Sequence, residues 1–598
     1  MNVNRILAFL FFGALFFPSP LVGQRADSGK GVNWIVKKAY REGLKLITTI
    51  PSDTTVNIRN AEAFLPFQNK IIRDIYIQQI GFEKSIYDSM HRTEAFVNRV
   101  ANGLHRRTRE ATVRKHLFFH KNKPLNPFLL ADNERYLRDR DFLLDCRMVV
   151  TPTSEGSDSV DITVITRDVF SLGFNLGGSI PTAPQFGVYD NNFLGRGQRL
   201  IFTGLYDPGR NPTFGWSSFF RKSSLLGTLV DLELGYSELK TGTIIGLESE
   251  YSYSIRLNRP LVSPYSRLAG GIDLSKNWSR NLFSKPDSIF QNYRYNMADY
   301  WIGYNFGVGQ KLENQFRYFF AVRYFDGDIL NQFRELELGG QLQSTRLLAY
   351  LGEFTIYRQE FYKTRYIFGF GRTEDVPVGL SLSFTAGYTT QLAQSRSYLG
   401  AKLKYSWVNL IGNIFRFELQ TGSYSTNYNS LEDAVVNARA TYYTRAVSMG
   451  KNKLRTMLSL GYVGLFNRTL SGSIGIKLTD LQGLVPTILD GRTKFQGRIE
   501  STLYTRLKPI GFRIAPFVGA DLVSIGCGNC TRGTQTGYAI SSGVRFRNEN
   551  LIFGTVEVRF TFFPNSDFGQ GNWGSQFNEN LKIRNSDLLV RAPALVPY

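Results

Sequence analysis

Hydrophobic and polar positions follow two rhythms along this chain. From residue 169 onward the period is two. In 247–257, Leu247, Tyr251, Tyr253, Ile255 and Leu257 share one side, and Glu248, Glu250, Ser252, Ser254 and Arg256 share the other. In 316–324, Phe316, Tyr318, Phe320, Val322 and Tyr324 oppose Arg317 and Arg323; in 399–407, Leu399, Ala401, Leu403, Tyr405 and Trp407 oppose Lys402 and Lys404. In 556–562, Val556, Val558, Phe560 and Phe562 oppose Glu557 and Arg559. Strict alternation places successive side chains on opposite faces of a strand. Residues 70–168 are mixed. A strand is predicted near 71–82. Helical spacing follows over 94–105 (Phe96, Val97, Val100, Leu104) and 108–119, and a second helix after Pro124 and Pro127 covers 129–140. Strands at 143–152 and 159–168 complete a strand–helix–helix–strand–strand order. Residues 31–50 carry a weaker amphipathic pattern that Pro51 ends.

A soluble sandwich or propeller also alternates. Three features favour a membrane barrel instead: strands of about ten residues or more, aromatics concentrated on the apolar face, and short turns such as 508–511 alternating with longer polar loops. The first 23 residues add a fourth. Arg5 precedes an apolar run from Ile6 to Phe17; Pro18, Ser19 and Pro20 break it, and Gly23 suits cleavage before Gln24. This reads as a secretory signal peptide. No later run reaches 18 consecutive apolar residues, so a helical membrane protein is excluded.

Composition alters the picture in two places. The 598 residues carry 71 Lys+Arg against 49 Asp+Glu, a net charge of +22, which points at first to nucleic acid. The basic residues are scattered rather than gathered in a stripe or tail, and alternation puts many of them on the polar face of strands, so no nucleic-acid partner is expected. The slightly negative mean hydropathy fits a barrel whose strands are half polar. With 56 Gly, 14% aromatics and only 3 Cys, the chain is neither disordered nor a disulfide scaffold.

The ordered strings ITRDVFSLGFNLGG (165–178), YDNNFLGRGQRLIFTG (189–204), RPLVSPYSRLAGGI (259–272) and GRTEDVPVGL (371–380), together with the α/β unit before them, resemble the BamA/TamA superfamily of POTRA-barrel outer-membrane proteins, the bacterial surface antigen family. The resemblance covers about residues 70–598. It implies an all-β transmembrane antiparallel barrel of 16 strands, preceded by a small α/β POTRA-like domain. The expected organisation is a signal peptide at 1–23, an N-terminal periplasmic segment at 24–69, the POTRA-like domain at 70–168 and the barrel at 169–598. Counting strands directly gives up to about 15 before the loop at 481–493 and five after it, more than the family number.

The family places an Arg-Gly pair on a lumenal loop against acidic wall residues. Here Gln482 and Gly483 stand at that place, with glutamine for the arginine, while Glu500 and Asp521 resemble the acidic partners. A buried carboxylate pair without a cation is costly, so Arg492 or Arg498 is expected to substitute; equally, these charges simply line a wet lumen. Val590, Ala592, Ala594 and Val596 alternate toward Tyr598, which resembles the terminal-strand signal of outer-membrane barrels. Pro593 and Pro597 would weaken that strand, either for a lateral gate or only as its end.

The resemblance implies a protein assembly, insertion or translocation factor at the outer membrane. Its partners would be unfolded outer-membrane or secreted client proteins, accessory periplasmic or lipoprotein subunits, and lipid. No cofactor and no enzymatic activity are expected. The alternative is a transport or structural barrel with a basic lumen, lined by Lys402, Lys404, Arg317 and Arg323, for an anionic solute or lipid. The four histidines, His91, His105, His116 and His120, lie in one stretch. His116 and His120 are at i,i+4, but HLFFH lacks the glutamate of a zinc-protease helix. Basic residues crowd the same stretch (Arg106, Arg107, Arg109, Arg114, Lys115, Lys121, Lys123) and read as a solvated face or a contact for anionic head groups or a client. Cys527 and Cys530 suit a local loop disulfide, and Cys146 a buried side chain in the α/β unit.

Overall fold

A computed structural model of the chain describes residues 61–80 and 106–597, apart from internal stretches of which the longer are 242–247, 307–315, 329–345, 477–486, 527–532, 549–554, 565–571 and 582–589. The expected signal peptide, the 94–105 helix, His91, His105, Gln482, Gly483, Cys527, Cys530 and Tyr598 lie outside the described residues.

The first unit is a three-stranded sheet with helices on one face. β1 (Ile71–Ile80) runs parallel to β3 (Ser159–Asp168), and β2 (Leu143–Pro152) antiparallel to it, in the order β1-β3-β2. The side chains of Ile72, Ile75, Met148, Val160, Ile162 and Val164 meet Val113, Leu130 and Leu137 from the helical layer. The first helix, α1 (Glu110–Arg114), is shorter than the predicted 108–119. Beyond Lys115 the Asn133 side chain accepts from the Phe118 amide and donates to the His116 carbonyl, both at 2.8 Å, in place of helical bonds. The second helix, α2 (Pro127–Arg138), begins at Asn126, whose side chain accepts from the Phe128 and Leu129 amides, with Pro127 in the first turn.

The remainder is a closed antiparallel barrel. Its strands are β4 (Leu172–Ser179), β5 (Ala183–Phe193), β6 (Gln198–Tyr206), β7 (Phe214–Lys222), β8 (Asp231–Thr241), β9 (Ser249–Arg259), β10 (Leu268–Arg280), β11 (Arg294–Phe306), β12 (Arg317–Asp328), β13 (Arg346–Thr364), β14 (Glu374–Gln391), β15 (Gln394–Val408), β16 (Ile414–Ser425), β17 (Glu432–Tyr443), β18 (Val447–Met449) and β19 (Asn452–Phe466). After a loop with a small hairpin, β20 (Ile474–Ile476) and β21 (Thr487–Gly491), come β22 (Thr493–Tyr504), β23 (Arg513–Gly526), β24 (Gln535–Arg547), β25 (Thr555–Phe562) and β26 (Trp573–Leu581). β26 closes on β4. β18 only extends the edge of β19, because β17 pairs β19 directly. Among the described residues the wall therefore has twenty strands, fifteen before the loop and five after it. The family number of 16 is corrected, and the direct count from alternation stands.

Outward side chains form an apolar belt with aromatic tiers. Tyr300, Tyr324, Tyr350 and Tyr388 are register partners across β11–β14, and Tyr304, Phe320, Phe354 and Phe384 repeat this four residues along. Trp407, Phe415 and Tyr442 form a third tier on β15–β17. Ser397 pairs with Tyr388, and Trp407 lies ten residues beyond it. That is about 33 Å of strand at ~3.3 Å per residue, or about 25 Å of height at a tilt of ~40°, the thickness of a transmembrane barrel's apolar belt. Tyrosine and tryptophan at the outer tiers, with phenylalanine between, match an amphipathic ring at each interface and an apolar one within.

Candidate functional site

Three assemblies occupy the barrel's interior and the mouth that faces the α/β unit. The first is a charged wall on β22–β25. Arg498 and Asp521 are register partners and form an ion pair. Glu500 receives Arg545 at 2.7 Å and Arg559 at 2.8 Å, and Glu557 receives the same two arginines at 2.7 and 2.9 Å. Both guanidinium groups also lie over the Phe517 ring, at 4.3 and 4.4 Å. Arg498 thus faces one of the two acids, while Arg492 is exposed and contributes main-chain bonds to the Leu465 amide and the Gly526 carbonyl. For Glu500 the partners are Arg545 and Arg559, which the sequence reading did not single out, although the parity of Arg559 in 556–562 already put it on the polar face.

The second assembly docks the α/β unit into the near mouth. Arg138, buried, bridges Glu134 at 2.5 Å and Asp375 of β14 at 2.8 Å, and Lys363 of β13 reaches Glu134 at 2.8 Å. Burial would raise the Glu134 carboxyl, but Arg138 and Lys363 outweigh it and hold it below its ordinary value. The Arg135 guanidinium sits 3.9 Å over Phe361 and donates to the Val262 carbonyl. Asp141 meets Arg221 at 3.1 Å and Arg199 at 3.5 Å, and the Ser224 hydroxyl donates to the Lys115 carbonyl. The string at 189–204 supplies the tightest part. Asn192 donates to the Thr108 hydroxyl at 3.0 Å and accepts from the Gly197 amide at 2.9 Å, while the Gly195 carbonyl accepts from the Arg109 amide at 2.8 Å. Gly195 has φ +71°, and a Cβ there would lie 2.4 Å from the Arg107 carbonyl oxygen.

His116 and His120 do not share a face. His116 is buried and donates from Nδ1 to the Thr112 carbonyl at 2.7 Å; His120 is exposed. Among the described residues no group of three or more His, Cys, Asp or Glu side chains is placed to hold a metal ion. Cys146 is buried and free, and burial pushes its thiol up.

The third assembly fills the lumen. The β13–β14 turn (365–373) crosses to the far wall: Tyr366 and Phe370 pack on Tyr504 and Ala515, and Arg455 and Arg513 donate to the Arg365 and Phe370 carbonyls. The second filler corrects the terminal-strand expectation. Residues 590–597 are in no strand; β26 closes the ring and contains no proline. Val590 packs with Leu261, Phe319 and Tyr357, and Val596 with Val435 and Leu465, all inside the barrel. Prolines at 593 and 597 cannot donate to a ladder, which removes the incentive to pair.

The lumenal cations are largely spoken for. Lys402 pairs with Glu353 at 3.0 Å, Lys404 with Glu418 at 3.3 Å and Arg323 with Asp299 at 2.7 Å, while Arg317 lies 4.5 Å over the Tyr265 ring.

No family model and no curated protein matches the chain. Among solved structures, it is similar to BamA from Haemophilus ducreyi lacking POTRA domains 1–3, at 10% identity and TM-score 0.30, with 97% of each chain covered. It is also similar to CdiB from Acinetobacter baumannii, at 12% identity and TM-score 0.36, over 96% of this chain and 85% of that one. The siderophore receptor PirA from Acinetobacter baumannii scores alike, at 8% identity and TM-score 0.31 over 70% of this chain and 66% of that one. Superpositions this loose do not choose among barrel families, and the architecture rests on the strand register itself.

Proposed function

We propose that the chain is an outer-membrane factor for insertion or translocation of other proteins, a POTRA-barrel protein whose α/β unit lies in the periplasm and meets unfolded clients there. The observation that carries this reading is the unequal height of the wall. At the closing seam β4, whose last residue Ser179 already pairs with Ala183 across the turn, has 8 residues; half-way round the ring β13 has 19 and β14 has 18. At ~3.4 Å per residue and a tilt of ~40° β4 stands about 21 Å high and the opposite wall about 50 Å. β4 falls short of the ~25 Å apolar belt, so lipid beside it must thin. Thinned lipid lowers the work of pushing polar strand ends across.

The rival, a pore for anions, loses its support in the pairing of Lys402, Lys404 and Arg323 with carboxylates. Depletion in cells followed by quantitative outer-membrane proteomics tests the proposal. Loss of particular barrel or secreted proteins is the expected result. Unchanged protein levels together with stable anion-selective conductance would overturn it.

A further inference from the structure

The lumenal wall carries a charged network on β22–β25. Between β12 and β19 polar positions such as Thr385, Lys402 and Glu418 are interrupted by separate apolar patches: Phe319 and Ala321 on β12, Leu347, Ala349 and Leu351 on β13, and Val435 on β17, buried and facing inward. Apolar patches inside a wet barrel are unfavourable unless something covers them. Residues 590–597 cover them. Val590 sits on Phe319 and Ala321; Leu595 packs against the cluster of Leu347, Ala349, Leu351 and Tyr398; Val596 contacts Val435 and Leu465. The main chain is held at three points on three strands: Arg323 Nη1 donates to the Pro593 carbonyl at 2.8 Å, the Val596 amide donates to the Tyr398 hydroxyl at 2.9 Å, and Asn437 Nδ2 donates to the Pro597 carbonyl at 3.3 Å.

Residues 590–593 follow β12 from Phe319 to Arg323, and 595–597 step from there to β13, β15 and β17. Two prolines in eight residues favour an extended, poorly pairing backbone and reduce the ordering cost of such a ligand. Main-chain capture by Arg323, Tyr398 and Asn437 does not depend on side-chain identity. The shallow apolar contacts on either side ask only for aliphatic residues.

We infer that the inner wall from β12 to β19 is a binding groove for an extended, proline-containing aliphatic peptide, and that residues 590–597 are its tethered occupant, a plug that leaves when a competing segment enters. This inference is independent of the insertion reading and stands on the barrel's interior alone. Tethering raises the effective concentration of the occupant to the millimolar range, so a free peptide competes poorly until the tether is removed.

The test compares the full chain with one stopped after Leu589, both refolded in detergent and placed in planar bilayers. The probe is a fluorescent synthetic peptide of residues 590–598. The shortened barrel is expected to conduct about threefold or more above the full chain, to bind the peptide at least about tenfold more tightly than the full chain does, and to lose the added conductance when peptide is supplied. A peptide with aspartate in place of Leu595 and Val596 should do neither. Should the shortened chain fail to fold, the full-length pair Leu465→Cys with Val596→Cys replaces it. Oxidation in cells should then produce a cross-linked species that neither single variant gives. Equal conductance and equal peptide binding by the two chains, or no cross-link in the pair, would overturn the inference.

Discussion

At the residue scale, charge balance governs what can be changed. Glu500 and Glu557 share Arg545 and Arg559, and Glu557 and Arg559 are almost wholly buried. Removing one cation leaves two carboxylates around a single arginine. Arg559→Met is therefore expected to cost about 3–5 kcal/mol, read from guanidinium unfolding in micelles. Arg492→Ala, on an exposed side chain, should stay within about 0.5 kcal/mol. An equal loss in both would show that the exposed arginine carries the network instead. His116 gives the pH dependence. Burial, with help from Arg140 and Lys115 and against the Thr112 hydrogen bond, pushes it from 6.5 down to about 4. The folded unit thus resists a proton that the unfolded one accepts. Its contribution is full above about pH 6.5 and is lost progressively as pH falls toward 4, by about 3 kcal/mol in all. Hydrogen exchange in β2 and β3 of the full chain should accelerate over that window. His116→Phe, which keeps the ring between Tyr136 and Phe142, should flatten the dependence. The parity of Glu500, Asp521 and Arg498 was readable from alternation, since a strand's period fixes which face each occupies. Arg498, expected as a substitute cation, does meet Asp521, but the partners of Glu500 were not readable, because Arg545 and Arg559 lie on strands far along the chain. His116 and His120, although spaced i,i+4, lie apart because the helix ends at Arg114.

At the element scale, the β5–β6 turn and the ends of β6, β7, β13 and β14 join the two units. The β5–β6 turn brings Gly195 against the Arg107 backbone, with φ +71° and no room for a Cβ. Gly195→Ala must distort the turn or lift the α/β unit away, at a cost above about 1 kcal/mol. Hydrogen exchange of α1 should rise several-fold while exchange of β10–β14 stays unchanged; unchanged α1 would mean that the docking contacts on α2 hold the unit alone. The glycine-rich string at 189–204 stood out in the sequence, but its purpose did not. A glycine with a positive φ is a turn residue on any reading, and only the neighbouring backbone makes it an interface residue. Helix α2 shows the opposite case. Glu134 and Arg138 carry full charges, yet both are buried against β13 and β14. A charged helix looks alike in sequence whether water or opposite charge satisfies it. Alternation in the last eight residues likewise matched a strand, but alternation alone does not say whether the partner is a neighbouring strand or the inside of the wall.

At the scale of the whole molecule, strand count and strand length have separate origins. The count was legible because each strand carries its own alternation and ends in its own turn, so twenty could be enumerated one at a time; a family number has no bearing on it. Wall height was less legible, because the eight residues of β4 and the nineteen of β13 differ in where pairing stops, which depends on the neighbour. The height difference is what couples the barrel to lipid. Around β13 and β14 the wall exceeds any bilayer and is indifferent to its thickness. At β4 the wall falls short, and a thicker bilayer must either thin or strip the strand ends of their pairing, at fractions of a kcal/mol per ångström. Reconstitution in lipids with 18-carbon rather than 12-carbon chains should then speed amide exchange in β26 and β4 by several-fold and leave β13 and β14 alone. Trp573, at the start of β26 and 74% exposed, should shift its emission to shorter wavelength in the same comparison as the thicker bilayer covers the seam's rim. A uniform response around the ring would mean that tilt adjusts the whole wall together, and the seam would lose its special standing. A response confined to the seam would tie the shortest strands to the place where the barrel yields first.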